Sequence, residues 1–216
     1  MGQISACIFD LDGVVVDTAK YHYQAWKRLA NELGFDFTLD DNERLKGVSR
    51  MDSLNILLEI GNQKLDEEQK LAYAEKKNIC YLEFVNKMTP EEILPGTIKL
   101  FTELKEAGIK IALGSASKNA ITILEKINIV NWFDIIIDGT KTQKAKPDPQ
   151  VFLLGAKGLN ATPQECIVFE DAEAGIEAAL KAGMRCVGIG SSDNLGNAHM
   201  VVSGLNEVTL KKLEFL

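Results

Sequence analysis

Basic runs are missing from this chain: its 24 lysines and arginines are scattered against 31 acidic residues, for a net charge of −7. Without a concentrated positive face, no nucleic-acid partner is expected. Long apolar runs are missing too. No stretch approaches the roughly 20 residues a helix needs to cross a bilayer. The only early apolar stretch is broken by Asp10 and Asp12, which speaks against a secretion signal. Cysteine is sparse and unpatterned. Cys7, Cys80, Cys166 and Cys186 show no C-x-x-C spacing, and three of them lie in apolar, strand-like runs. They read as reduced core residues, not as a metal or disulfide framework. These absences imply a cytoplasmic globular protein with no membrane partner, and the 46% apolar and 25% charged fractions agree with that. The acidic balance carries a further implication. Any anion site must be built locally from a few Lys, Arg or backbone N–H groups.

What is present is ordered along the chain. Ala6-Cys7-Ile8-Phe9 forms a short buried-strand pattern that stops at acidic residues. After Asp17 the periodicity becomes helical. Trp26, Leu29, Ala30 and Leu33 share one face before Gly34, and Ser49 with Asp52 resembles the start of a second helix ending at Gly61. Asp66 can cap a third helix running to about Lys87, with Leu71, Ala74, Leu82 and Val85 inward. From Pro95 on, apolar strands alternate with amphipathic helices: Lys110–Leu113, Ile135–Ile137, Ile167–Phe169, Cys186–Ile189 and Met200–Val202 are the strands. The pattern predicts an α/β protein with a doubly wound parallel sheet covered on both faces. Residues 1–16 and 93–216 are expected to form the core, and residues 17–92 an inserted all-helical domain.

In an open parallel sheet, ligands sit outside the carboxyl ends of the strands. Those ends carry Asp10-Leu11-Asp12-Gly13, Gly114-Ser115-Ala116-Ser117 and Glu170-Asp171, while Lys146 precedes the helix opened by Pro149. Singly, each has a plainer reading. The aspartates beside Gly13 could form a turn, Asp171 could cap a helix, Lys146 could be a solvated lysine, and Ser115 a turn residue. Together they have the composition of a metal-assisted phosphate site. Mg²⁺ prefers hard oxygens, which Asp10, Asp171 and a backbone carbonyl near Asp12 can supply. A carboxylate such as Asp10 suits covalent phosphoryl catalysis, since an acyl phosphate forms and breaks readily. Asp12 can exchange the proton of the reacting oxygen. Lys146 and Ser115 can offset and orient charge on the equatorial oxygens. His199 and the Gly188-x-Gly190 fragment are set aside as structural features.

The run from Asp10 through Leu11-Asp12-Gly13-Val14-Val15-Val16-Asp17 to Thr18, with Ser115, Lys146 and Glu170-Asp171, resembles the four motifs of the haloacid dehalogenase superfamily. The resemblance spans essentially the whole chain and implies a HAD-like Rossmannoid core with a helical cap. It also implies Mg²⁺ held at Asp10, the Asp12 carbonyl, Glu170 and Asp171. Within that superfamily, the segments Asp17–His22, Leu45–Arg50 and Ser115–Asn119 are similar to those of the β-phosphoglucomutases. By that resemblance, Arg50, Ser117 and Asn119 bind the phosphate distal to the reacting one, and Arg50's planar fork suits the task. His22, Lys46 and Gly47 belong to substrate binding on cap closure, and Thr18 steadies Asp12. One departure is Ala172, where many relatives carry Ser or Thr.

The implied reaction is interconversion of β-D-glucose 1-phosphate and β-D-glucose 6-phosphate through β-glucose 1,6-bisphosphate, with an aspartyl phosphate at Asp10. The implied partners are small sugar phosphates, and the implied state is a monomer. Three alternatives remain at this level: a sugar-phosphate hydrolase of the same superfamily, a phosphonate-cleaving enzyme using Lys46 as a Schiff base, and a non-catalytic sugar-phosphate-binding module. The last is disfavoured by the presence of both Asp10 and Asp12.

Overall fold

The computed structural model describes residues 4–216. Six strands form one all-parallel sheet: β1 (Ala6–Phe9), β2 (Lys110–Gly114), β3 (Ile135–Ile137), β4 (Cys166–Glu170), β5 (Arg185–Ile189) and β6 (Met200–Val202), in the order β3-β2-β1-β4-β5-β6. β1 is central and wholly buried, which explains why it reads as a continuous apolar run without alternation. Reversal of strand order on either side of β1 opens a crevice at the carboxyl edge, where Asp10 follows Phe9.

After a run of consecutive helices that follows β1, strands and α-helices alternate as the periodicity implied. The helices are α1 (Ala19–Glu32), α2 (Leu39–Glu43), α3 (Arg50–Ile60), α4 (Glu67–Val85), α5 (Thr97–Glu106), α6 (Ala120–Lys126), α7 (Gln150–Leu159), α8 (Glu173–Lys181), α9 (Ser192–Leu195) and α10 (Leu210–Glu214). Ser49 caps α3 through the Asp52 amide, and Asp66 with Gln69 forms a capping box at α4. The short α2 has no counterpart in the sequence reading; its start is fixed by a Thr38–Asp41 capping box.

Side-chain alternation along the strands divides the core into two layers. Cys7 and Phe9 face a cluster with Phe101, Leu113 and Phe169, whereas Ala6 and Ile8 face one with Phe152, Val168 and Ile176. Phe9 stacks on Phe169 with ring centroids 4.4 Å apart and meets Phe101 edge-on at 4.9 Å. This aromatic sandwich lies directly beneath Asp10, so the strand end is held by close packing. Helices α1, α3 and α4 enclose a separate apolar cluster around Trp26, Leu29, Phe37, Leu54, Leu57 and Ala74. The chain leaves toward these helices and returns side by side, with Asp17 N donating to Glu92 O and Leu94 N to Val15 O.

One expectation changes. Leu71 is exposed on α4, whose buried face instead runs through Ala74, Lys77, Asn78, Tyr81 and Val85. His199 is structural: its Nδ1 accepts from the Cys186 amide at 3.1 Å, extending the β5–β6 pairing. All four cysteines are buried and unpaired.

Candidate active site

Asp10 is placed by its strand. Its amide donates to Phe169 O at 2.9 Å, continuing the β1–β4 ladder past Phe9. Its carboxylate accepts from Lys146 Nζ at 2.5 Å on Oδ1 and from the Asp12 amide at 3.1 Å on Oδ2. Lys146 Nζ also donates to Glu170 Oε2 at 2.8 Å and lies over the Phe152 ring. Burial pulls the Lys146 pKa down, but the Asp10 and Glu170 carboxylates outweigh it, so the lysine stays charged. It therefore neutralises two carboxylates in a dry environment, which is where such a charge matters most.

Asp10, Glu170 and Asp171 offer carboxylate oxygens that all lie within 4.8 Å of one another. Burial first, and the Asp10 charge next among the raising effects, lift the Glu170 pKa to about 7 against the lowering effect of Lys146. Burial, Glu170 and Asp10 raise Asp171 well above the ordinary carboxylate range. Burial is the main cause, and the convergence of like charges adds to it. Hard oxygens with surplus negative charge fit a divalent cation of the magnesium kind. Gly13 contributes by what it lacks. At φ +81° it turns the loop, and a Cβ there would collide with Asp171 Oδ2.

Asp12 faces a cavity of about 350 Å³ between the sheet edge and the helical insertion. Burial raises its pKa to about 6, and Asp10 adds to the rise; the Thr18 hydroxyl, Lys77 and Lys146 oppose it. Thr18, fully buried, donates its hydroxyl to Asp12 Oδ1. From α1, His22 Nε2 stands 3.7 Å from the same oxygen. Burial, Lys77 and Arg50 push the His22 pKa well below its usual value, so the ring is neutral. Lys77 Nζ lies 2.8 Å from Nδ1; charged Lys77 donates there, which puts the His22 proton on Nε2, toward Asp12.

The loop between α2 and α3 brings Lys46, Gly47 and Arg50 to the cavity wall. Lys46 pairs with Glu43 at 2.9 Å and lowers the Asp171 pKa from nearby. Gly47, at φ +71°, passes so close to the core that a Cβ would lie 2.8 Å from Ala172 Cβ. Ala172 is thus a point of close contact between this loop and the core. Ser117 and Asn119, after β2, line the same cavity. Ser115 is buried below them, its hydroxyl accepting from the Ser117 amide at 3.1 Å. The fold therefore gathers Asp10, Asp12, His22, Lys46, Gly47, Arg50, Ser117, Asn119 and Asp171 around one cavity, with Thr18, Ser115, Lys146 and Glu170 buried close behind.

Lys77, Asn78 and Tyr81 also line the cavity, and the sequence reading did not single them out. A signal existed: they interrupt an apolar stripe at helical spacing, and a lysine in such a stripe marks a polar surface facing it. Lys77 lies over the Trp26 and Tyr81 rings, with its pKa lowered to about 7 by burial and then by Arg50.

Fold and site define an α/β enzyme with a candidate cation site and its chemistry at the carboxyl edge of the sheet. The family model of haloacid dehalogenase-like hydrolases matches residues 4–183, and the chain belongs to that family. It is 43% identical to a β-phosphoglucomutase of Bacillus subtilis, over 97% of this chain and 94% of that protein. A crystal structure of a β-phosphoglucomutase from Clostridium difficile superposes with a TM-score of 0.94 at 47% identity, covering 99% of this chain and 96% of the other. The chain is also 33% identical to a phosphorylated carbohydrates phosphatase of Thermotoga maritima, over 90% of this chain and 89% of that protein.

Proposed function

We propose that this enzyme is a β-phosphoglucomutase, interconverting β-D-glucose 1-phosphate and β-D-glucose 6-phosphate through β-glucose 1,6-bisphosphate. The observation that carries the proposal is a second set of phosphate donors on the cavity that Asp10 and Asp12 line. Arg50 and Asn119, which meet on the Asn78 oxygen, line it together with Ser117. A substrate with two phosphates uses both sets, whereas hydrolysis of a monophosphate needs only the first.

In the first half-reaction the phosphoryl group on the Asp10 carboxylate passes to a sugar hydroxyl. The P–O bond to Asp10 breaks, a P–O bond to the sugar forms, and Asp12 takes the hydroxyl proton. After the bisphosphate reorients, its other phosphoryl group returns to Asp10, and Asp12 gives the proton to the departing oxygen. A carboxyl with pKa about 6 is suited to both directions near neutrality. Lys146 holds Asp10 in place and offsets charge on the transferring group. His22, oriented by Lys77, presents N–H toward Asp12 and the reacting hydroxyl. Asp10, Asp171 and the Asp12 backbone carbonyl would hold Mg²⁺, with Glu170 beside them. When bound, the ion supplies positive charge against the phosphoryl oxygens. Residues 17–92 would act as a cap that seats through Gly47 and keeps water from the aspartyl phosphate.

A cytoplasmic monomer fits this reading. The four unpaired cysteines suit a reducing compartment, and one chain provides every proposed site residue. Among the described residues no helix is long and apolar enough to cross a membrane. The Thermotoga maritima relative makes hydrolysis the competing reading. Pure β-glucose 1-phosphate with Mg²⁺ and a trace of bisphosphate separates the two. Glucose 6-phosphate should accumulate; release of inorganic phosphate without it would contradict the mutase assignment.

A further inference from the structure

Asn78 has no part in the reaction as described, yet it is 9% exposed and sits where the helical insertion meets the core. Its Oδ1 accepts from Arg50 Nη2 at 2.8 Å and from Asn119 Nδ2 at 2.9 Å. Arg50 opens α3 in the insertion, and Asn119 precedes α6 in the core. One uncharged oxygen thus gathers donors from both sides, using both of its lone pairs. The other contact of the Arg50 guanidinium is Nη1 to Glu75 Oε2 at 3.4 Å, to a carboxylate 62% exposed. Screening makes that pair weak. The Asn78 oxygen is the partner that fixes the guanidinium.

We propose that Asn78 is a positioning residue that clasps the insertion to the core and holds Arg50 and Asn119 as a ready donor pair for the phosphate that is not being transferred. This rests on the reading of Arg50 and Asn119 as the distal phosphate site. The amide chemistry suits the role. A carboxamide holds both donors without adding negative charge, so an arriving phosphate takes them over without repulsion. Two hydrogen bonds also break easily enough to let substrate exchange. Closure that does not depend on ligand alone matters here, because the aspartyl phosphate must be kept from water while the bisphosphate reorients.

The test compares Asn78→Ala, which removes the acceptor, with Asn78→Asp, which keeps it and adds charge. Asn78→Ala should raise KM for β-glucose 1-phosphate about tenfold while kcat changes less than about threefold. It should also raise inorganic phosphate released per glucose 6-phosphate formed, and expand the ligand-free protein in small-angle X-ray scattering. Asn78→Asp should keep the compact ligand-free shape and still raise KM. A folded Asn78→Ala with unchanged KM, product ratio and scattering overturns the proposal, as does Asn78→Asp with wild-type KM. If Asn78→Ala does not fold, Asn78→Asp decides alone: compact with raised KM supports the clasp, and any other result rejects it. Failure of the mutase reading is visible separately, as wild-type enzyme releasing only phosphate; the clasp is then still read from KM for hydrolysis and from scattering.

Discussion

At the residue scale, two ionisable groups outside the acidic cluster are moved toward neutrality, Asp12 to about 6 and Lys77 to about 7. Burial produces both shifts, upward for the acid and downward for the base. Asp12 must be a carboxylate to accept the hydroxyl proton, so kcat/KM should fall as pH drops through about 6. The Thr18 hydroxyl stabilises that carboxylate and lowers its pKa. Thr18→Val should therefore move the acid limb of the pH–rate profile upward by about one unit, the scale of a charge-assisted hydrogen bond. A limb that stays in place would separate Thr18 from Asp12. Lys77 gives a stability signature of definite sign. Its folded pKa lies below its unfolded value, so between about 7 and about 10 the unfolded chain binds more protons, and stability rises with pH. Lys77→Met should flatten that rise in denaturant titrations across the range. It should also slow turnover by about tenfold, because His22 loses the donor on Nδ1 that orients it.

At the scale of elements, Gly47 shows how a loop between two helices sets the reaction geometry. Its left-handed backbone disfavours any side chain by about 1–2 kcal/mol, and its approach to Ala172 leaves no room for a methyl group. Gly47→Ala should lower kcat/KM about 5- to 30-fold, the factor that such an energy sets on the closed population. Adding Ala172→Gly should recover part of the loss by relieving the contact, leaving the backbone part. Steady-state kinetics of the single and double variants would show it; no recovery would mean the insertion does not seat there. The elements also show what the sequence carried. Every strand was legible, since β1, β2, β4 and β5 are apolar runs ended by chemistry or turns. The five-residue α2 was not, because it is too short to show periodicity and is defined by its cap. On α4 the inward face was misjudged through Leu71, which is exposed. An apolar-periodicity argument assumes an apolar partner. Here part of the facing surface is the cavity itself, so Lys77 and Asn78 point inward and a leucine points out.

For the whole molecule, the chemistry depends on one junction between a rigid sheet and a helical insertion. The Phe9–Phe169 stack and the Lys146 bridge fix Asp10 from the sheet side. Thr18, His22, Gly47 and Arg50 approach from the other side. The core motifs could be found in sequence because all but Lys146 fall at a strand end. Of the junction, Arg50 and Asn119 were reached through the family resemblance, whereas Asn78 was not, because it meets them only through tertiary packing. That junction is what would turn a family frame shared with phosphatases into a mutase, by favouring a sugar hydroxyl over water as acceptor. The direct measurement is a single turnover of enzyme phosphorylated at Asp10 with labelled phosphate, mixed with glucose 6-phosphate and Mg²⁺. The account predicts that the label passes mainly to β-glucose 1,6-bisphosphate, much faster than it is lost when sugar phosphate is omitted. Label appearing as inorganic phosphate at the same rate with and without the sugar phosphate would contradict it.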